Sequence, residues 1–297
     1  MFLHKIGGFV INGTDNILIS KMFGVLYVGL YSNYFMITNA LTMLFSQIIS
    51  ATTPSIGNLL VENDKEKIYK VFVKVRFLNF YIATFTGVCL LLSVQPFIRL
   101  WLGNDYLLPI YVVFVIVLNY YQKMMRKTYD SFMTAAGICV ENRFVPIIES
   151  ITNIVFSIVL AKICGLIGIF IGTIISGLCL WCYSYPKFMY KKILNRSYMC
   201  YTKETIGYLL LFVFISVISY KITTLIIISN NFIQIVVNLF IAIMVCNILL
   251  ISLFYNNENF NYFVKLIKNL VRKVLKKVHL SKQCNEILNY GDNNEKR

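Results

Sequence analysis

The chain has 297 residues, of which 58% are hydrophobic and only 14% charged, and its mean hydropathy is +0.70. That composition describes no soluble surface and excludes disordered, collagen-like and coiled-coil chains, so it reads as an integral membrane protein. The 28 Lys and Arg against 13 Asp and Glu leave a net charge of +15, but in a membrane protein the distribution of charge outweighs its sum, and no nucleic-acid binding is implied.

Eight apolar segments approach the ~20 residues that a helix needs to cross a bilayer. They cover residues 6–23, 25–49, 77–101, 107–121, 144–164, 166–185, 206–228 and 232–255. The fourth has a short apolar core and is expected to continue as a helix past Lys123 toward Ala136. The fold class is therefore all-α, with about eight transmembrane helices.

The first segment carries Asp15 in mid-span, with Asn12 and Asn16, and glycines at 7, 8 and 13. Helical spacing puts Gly8, Asn12, Asp15 and Asn16 on one side, away from Phe9, Val10, Ile17 and Leu18. An Asp at a helix centre costs about 2.5–3.5 kcal/mol, against about 0.3–0.6 returned by each large apolar residue. This segment inserts only marginally alone, and its polar side is expected to face a wet cavity or other helices; intramembrane acids of this kind are functional candidates. The alternative is a structural pairing of Asp15 with a basic residue elsewhere.

The second segment sets Tyr31, Tyr34, Thr38 and Thr42 on one face. That face suits a sugar, although aromatic groups at these positions also serve as packing or interfacial groups. In the fifth, Glu149, Asn153 and Ser157 follow one another at four-residue spacing, with Arg143 one to two turns earlier. A polar stripe in an apolar helix lines something wet; the plainer readings make Arg143 an anchor at the inner side and Asn153 an interhelical hydrogen bond. The sixth has Gly165, Gly168, Gly172 and Gly177, small residues that let helices approach closely. The seventh and eighth contain no acid and look peripheral to any pathway. Lys74, Arg76 and Arg99 lie near span ends, where long side chains snorkel to the interface.

The connections test the span count. Those after the second, fourth and sixth segments hold Lys65, Lys67, Lys70, Lys74 and Arg76, then Lys123, Arg126, Lys127 and Arg143, then Lys187, Lys191, Lys192, Arg196 and Lys203. The intervening connections hold one basic residue each: Lys21, Arg99, Lys162 and Lys221. This alternation is what the positive-inside rule predicts for eight spans with both termini cytoplasmic. The outward connections are short, which disfavours an enzyme with an external catalytic loop. The tail after the last span carries nine more basic residues, and its apolar positions Phe260, Phe263, Val264, Ile267, Leu270, Val271, Val274, Leu275 and Val278 share a helical face. It reads as a basic amphipathic helix lying on the anionic inner leaflet, an acidic protein partner being the alternative.

The remaining reactive residues point to no chemistry. Cys89, Cys164, Cys179, Cys182 and Cys246 lie in apolar runs, where thiols act as small hydrophobes. Cys179 and Cys182 form C-x-x-C without a second pair or a nearby histidine, so no metal site is expected. His4 and His279 lie outside every span, which leaves intramembrane histidine catalysis without its residue. No cofactor and no enzymatic activity are expected. The sequons at Asn12 and Asn195 fall in the membrane and on the inner side, and 1–5 do not open a cleavable signal, because Asn and Asp interrupt the apolar run that follows.

Several runs carry a resemblance. Residues 5–20 (KIGGFVINGTDNILIS), Gly24, 28–32 (VGLYS), 54–58 (PSIGN), 97–103 (FIRLWLG), and Asn153 leading to 165–176 (GLIGIFIGTIIS) resemble the second half of bacterial polysaccharide-biosynthesis flippases. The resemblance covers about residues 5–200. That family lies in the multidrug, oligosaccharidyl-lipid and polysaccharide exporter superfamily, whose members have two six-helix lobes around a central cavity. It implies a carrier that moves an undecaprenyl-diphosphate-linked oligosaccharide from the cytoplasmic to the periplasmic leaflet of the inner membrane by alternating access, for O-antigen (lipopolysaccharide), capsule or exopolysaccharide synthesis.

On this reading 1–200 form a C-terminal-lobe-like bundle of six helices, 201–256 two additional helices, and 257–297 the basic cytoplasmic tail. The first lobe is absent, so the chain reads as a fragment or half of a flippase whose partner is a missing N-terminal lobe or a second copy. Arg143 is the leading cation for the substrate diphosphate, with Arg99 and Lys162 behind it, while Asp15 and Glu149 would bind a coupling cation or proton or hold such an arginine. The competing functional readings are a drug or cation antiporter of the same superfamily and an inactive membrane-inserted remnant. A glycan polymerase or acyltransferase lacks both the large outer loop and the intramembrane histidine that it would need.

Overall fold

The computed structural model of the chain describes residues 2–138, 141–226, 228, 230–262, 264, 265, 268 and 272, with the backbone alone described for 2–12. The described residues are helical and contain no strand, so the all-α expectation holds. Contacts divide the chain into two compact units, Met1–Leu249 and Leu250–Arg297. In the second, residues 251–254 complete the last long helix and 258–262 form a short helical segment. The amphipathic tail helix expected beyond this point lies mostly outside the described residues.

Among the described residues nine helices follow in order: α1 (Phe2–Phe23), α2 (Val25–Ser50), α3 (Thr53–Val61), α4 (Lys65–Trp101), α5 (Ile110–Ala135), α6 (Val145–Cys164), α7 (Leu166–Cys179), α8 (Tyr198–Thr224) and α9 (Asn231–Phe254). The polypeptide continues beyond α7 as a wide π-helical turn system over Leu180–Ile193 that accommodates Pro186. Six stretches among the described residues are long and apolar enough to cross a membrane: Val25–Val61, Lys65–Trp101, Val145–Cys164, Leu166–Ile193, Tyr198–Thr224 and Asn231–Phe254. The other two expected spans fall on α1 and α5. α5 continues past Lys123 as anticipated, and the charges at Lys123, Arg126, Lys127 and Asp130 dilute its apolar character.

Local chemistry sets the helix ends. Asp64 caps α4, its Oδ1 accepting from the backbone N–H of Glu66 and of Lys67, both at 3.1 Å, which satisfies two donors that the first turn leaves open. α4 therefore begins a full three turns before the apolar run at Phe77, because a capped charged turn extends the helix beyond the hydrocarbon. α6 and α7 form a hairpin about Gly165, whose φ of 73° favours a residue without Cβ. Their contact is close: a Cβ on Gly172 would lie 2.5 Å from Ser157 Oγ and 2.6 Å from its backbone N.

α5 packs against α2, α3, α4 and α7, and α1 against α2, α6 and α7. These contacts bring α1, α2, α5, α6 and α7 around a common space. α8 lies against α4 and the π-helical segment. There Arg76, only 1% exposed, donates to Glu204 Oε2 at 2.5 Å and to the Tyr190 hydroxyl. Tyr190 in turn donates to Glu204 at 2.6 Å. Arg76 thus turns inward to an acid, where the sequence suggests a snorkelling anchor. α9 is tied to α4 within the first unit by Asn238 Nδ2 donating to Leu92 O at 2.6 Å and Tyr81 OH donating to Asn247 Oδ1 at 2.6 Å.

Candidate functional site

The common space is a cavity of about 560 Å³, a size that holds a small-molecule headgroup. One wall is neutral and polar: α2 supplies Tyr31, Phe35, Thr38, Asn39 and Thr42. The wall that α5 supplies is charged. α5 presents Asn119, Lys123, Arg126, Lys127, Asp130 and Thr134, which recur every three or four residues and so share a helix face.

α1, α6 and α7 close the remaining sides. Asp15, 5% exposed, approaches Thr173, whose hydroxyl lies 3.4 Å from each carboxylate oxygen. The same hydroxyl lies 3.2 Å from Ile169 O and accepts from Asn153 Nδ2 at 3.1 Å. Having one hydrogen, it bonds either the acid or the carbonyl at any moment, so Asp15 is not fully satisfied by it. Asn153 Oδ1 and Asn16 Oδ1 are buried without a hydrogen-bond partner among the described residues. The Asp15 carboxylate of α1 and the Asn153 amide of α6 thus share a single hydroxyl.

Glu149, 4% exposed, accepts a forked pair of bonds from Arg126, Nη1 to Oε1 at 2.6 Å and Nη2 to Oε2 at 3.2 Å. Asp130 accepts from Tyr185 OH at 3.0 Å. Lys123 Nζ stands 5.9 Å from the Phe35 ring centroid, across the cavity from its own helix. Tyr31 packs on Phe170, with ring centroids 4.8 Å apart. The charged lining consists of three bases, Lys123, Arg126 and Lys127, and three acids, Asp15, Asp130 and Glu149.

The structure brings together Asp15, Glu149 and Asn153 of the residues singled out in the sequence. Asn16 is half-buried beside Asp15 in the chain, and the side chain of Asn12 lies outside the described residues. Arg143 is exposed, with its guanidinium carbon 4.8 Å from the centroid of the Phe144 ring. Arg99 and Lys162 are exposed at the ends of α4 and α6. None of these three lines the cavity. The basic residues that do are those of α5, which the sequence reading assigned to an inner connection. Their i, i+3, i+4 spacing, with Asp130 at i+7, was the available signal.

Residues 1–110 match the model of a family described as polysaccharide biosynthesis protein. In fold the chain is similar to the lipid II flippase MurJ in its inward closed conformation, with a TM-score of 0.56 and 16% sequence identity. The resemblance to polysaccharide-biosynthesis proteins is borne out over residues 1–110, and the fold is that of a solved flippase. The match covers 81% of this chain and 52% of the solved flippase, so the chain spans about half the length of that protein. No curated protein matches the chain.

Proposed function

We propose that the chain is one lobe of a carrier that moves a lipid-linked oligosaccharide across a membrane, taking the anionic linkage between lipid and sugar into the cavity. The observation that carries this reading is the pairing of a basic and a neutral polar wall in one cavity. The Lys123, Arg126 and Lys127 side of α5 suits phosphate oxygens, and the Thr38, Asn39 and Thr42 side of α2 suits sugar hydroxyls. The similarity to a flippase named for lipid II and the polysaccharide-biosynthesis match support it.

Within this reading the substrate is an undecaprenyl-diphosphate oligosaccharide for O-antigen, capsule or exopolysaccharide, and the membrane is the inner one, with both termini cytoplasmic. The basic tail lies on anionic inner-leaflet lipids. Asp15, with Thr173, Asn153 and Asn16 behind it, offers oxygens to a coupling cation or proton. A second lobe, from another chain or another copy, faces α2 and completes the carrier; the full cycle belongs to that assembly.

The test is headgroup accessibility in proteoliposomes containing the full assembly and a labelled lipid-linked oligosaccharide. Protection of the label should collapse as molecules reach the outer leaflet, and a Lys123→Gln/Lys127→Gln variant should slow that collapse. Unchanged exchange in the variant would remove the α5 wall from the pathway. Transport of organic cations without exchange of the lipid-linked glycan would favour the antiporter reading.

A further inference from the structure

Resting on the reading that the cavity takes an anionic headgroup, we infer that Glu149 is a tethered counter-anion occupying the anion seat of the cavity, and that an incoming phosphate displaces it from Arg126. The fork that Arg126 presents to Glu149, at 2.6 and 3.2 Å, is the geometry in which a guanidinium binds a phosphate; carboxylate and phosphate are interchangeable acceptors for it. Arg126 keeps 23% of its side chain exposed, while Glu149 keeps 6%. Both groups line the cavity, and the donor is the more accessible of the two.

The charge count points the same way. With three bases and three acids, the lining is formally balanced. A balanced lining offers a dianion no net attraction, so the ligand needs a local cation that has let go of its acid. Asp130 is engaged by Tyr185 and Asp15 lies next to Thr173, whereas Glu149 is the acid joined directly to a cavity-lining guanidinium. Exchange at Arg126 therefore gives the ligand a cationic seat without moving a helix. It also makes Glu149 a specificity residue: a ligand must compete with a carboxylate already in place, which excludes neutral sugars and favours multiply charged phosphates.

The full chain in detergent, titrated with inorganic pyrophosphate by calorimetry, tests this. Glu149→Gln keeps the side-chain shape and removes the charge; it should tighten pyrophosphate binding about tenfold or more, and that gain should vanish in the Arg126→Gln/Glu149→Gln double variant. In Glu149→Ala, which opens the seat, free acetate should compete with pyrophosphate, while it should have no such effect on the unaltered chain. Equal or weaker binding in Glu149→Gln, or no acetate competition in Glu149→Ala, would overturn the exchange and leave Glu149 as a support for Arg126. Failure of the unaltered chain and every variant to bind pyrophosphate would instead overturn the anion-cavity reading on which the inference rests.

Discussion

Arg76 of α4 and Glu204 of α8 form an ion pair with 2.5 Å between Nη1 and Oε2, the guanidinium side chain 2% exposed and the carboxylate 25%. Tyr69 donates to the other carboxylate oxygen at 3.1 Å, and the Phe72 and Tyr208 rings lie 5.3 and 5.2 Å from the guanidinium carbon. This cluster makes α8 a fixed part of the helix bundle rather than a lipid-solvated appendage. Along α8 the exposed residues include Ile206, Leu210, Phe214 and Val217, which suit lipid, so the attachment rests on this cluster, on the bonds from Tyr121 OH to Tyr208 O at 3.1 Å and from Tyr201 OH to Trp181 O at 2.6 Å, and on the packing around Phe212.

Glu204→Ala leaves Arg76 buried among the Tyr190 hydroxyl and the Phe72 and Tyr208 rings, without its acid. Removing one partner of a buried pair costs about 3–5 kcal/mol, and partial exposure of Glu204 puts the expectation near the lower end. Replacing both residues, as Arg76→Met/Glu204→Leu, should destabilise less than Glu204→Ala alone, since no unpaired charge remains. Urea or thermal unfolding in detergent gives both values; equal loss in the single and double variants would mean that packing, not charge, holds α8.

Gly172→Ala should weaken the α6–α7 hairpin, because the new methyl meets Ser157 backbone atoms at 2.6 and 2.7 Å. Overpacking of this kind costs about 1–3 kcal/mol, while Gly→Ala in an open helix position gains up to about 1 kcal/mol. Gly57→Ala, with nothing within 4 Å of the added Cβ, is the matched control and should be neutral or stabilising. A stable Gly172→Ala variant would show that the hairpin can part without cost.

Much of this architecture was legible in the sequence because lipid imposes a simple grammar. Runs of ~20 apolar residues mark helices, and glycines at 165, 168 and 172 mark the hairpin. Asp15 was legible as well, since an acid within an apolar helix has few reasons to be there. The α5 wall was not. Lys123, Arg126 and Lys127 follow a short apolar run, and basic residues at that place carry the same pattern whether they anchor an inner loop or line a cavity. Only the path of α5 past α2 and α6 distinguishes the two. Arg76 was obscured for the same reason, its partner Glu204 lying 128 residues away.

The distinction between α5 and the peripheral bases gives a direct comparison. Arg126→Ala in a transport-competent assembly should lower glycan export by about tenfold or more, equivalent to about 1.4 kcal/mol or more of lost interaction. Arg143→Ala removes a cation that stands against Phe144 at the surface and should change export by less than about twofold. Export assays at matched expression decide this. A larger loss at Arg143 than at Arg126 would mean that Arg143 swings into the pathway in another state of the cycle.

Asp15→Asn probes the part of the cavity that α1 supplies. The amide keeps the size of the carboxylate and can still meet the Thr173 hydroxyl, so the hairpin and α1 should remain folded, with a midpoint within a few degrees of the unaltered chain. The negative charge is lost, and with it any electrostatic reason for a cation to enter between α1, α6 and α7. Export should fall about tenfold or more and lose whatever dependence on the sodium or proton gradient the unaltered assembly shows. Thr173→Ala should produce a weaker loss, because Asp15 retains its charge but loses a hydroxyl 3.4 Å from both oxygens. Full export with an intact gradient dependence in Asp15→Asn would make the acid a packing group and move the search for coupling to Asp130.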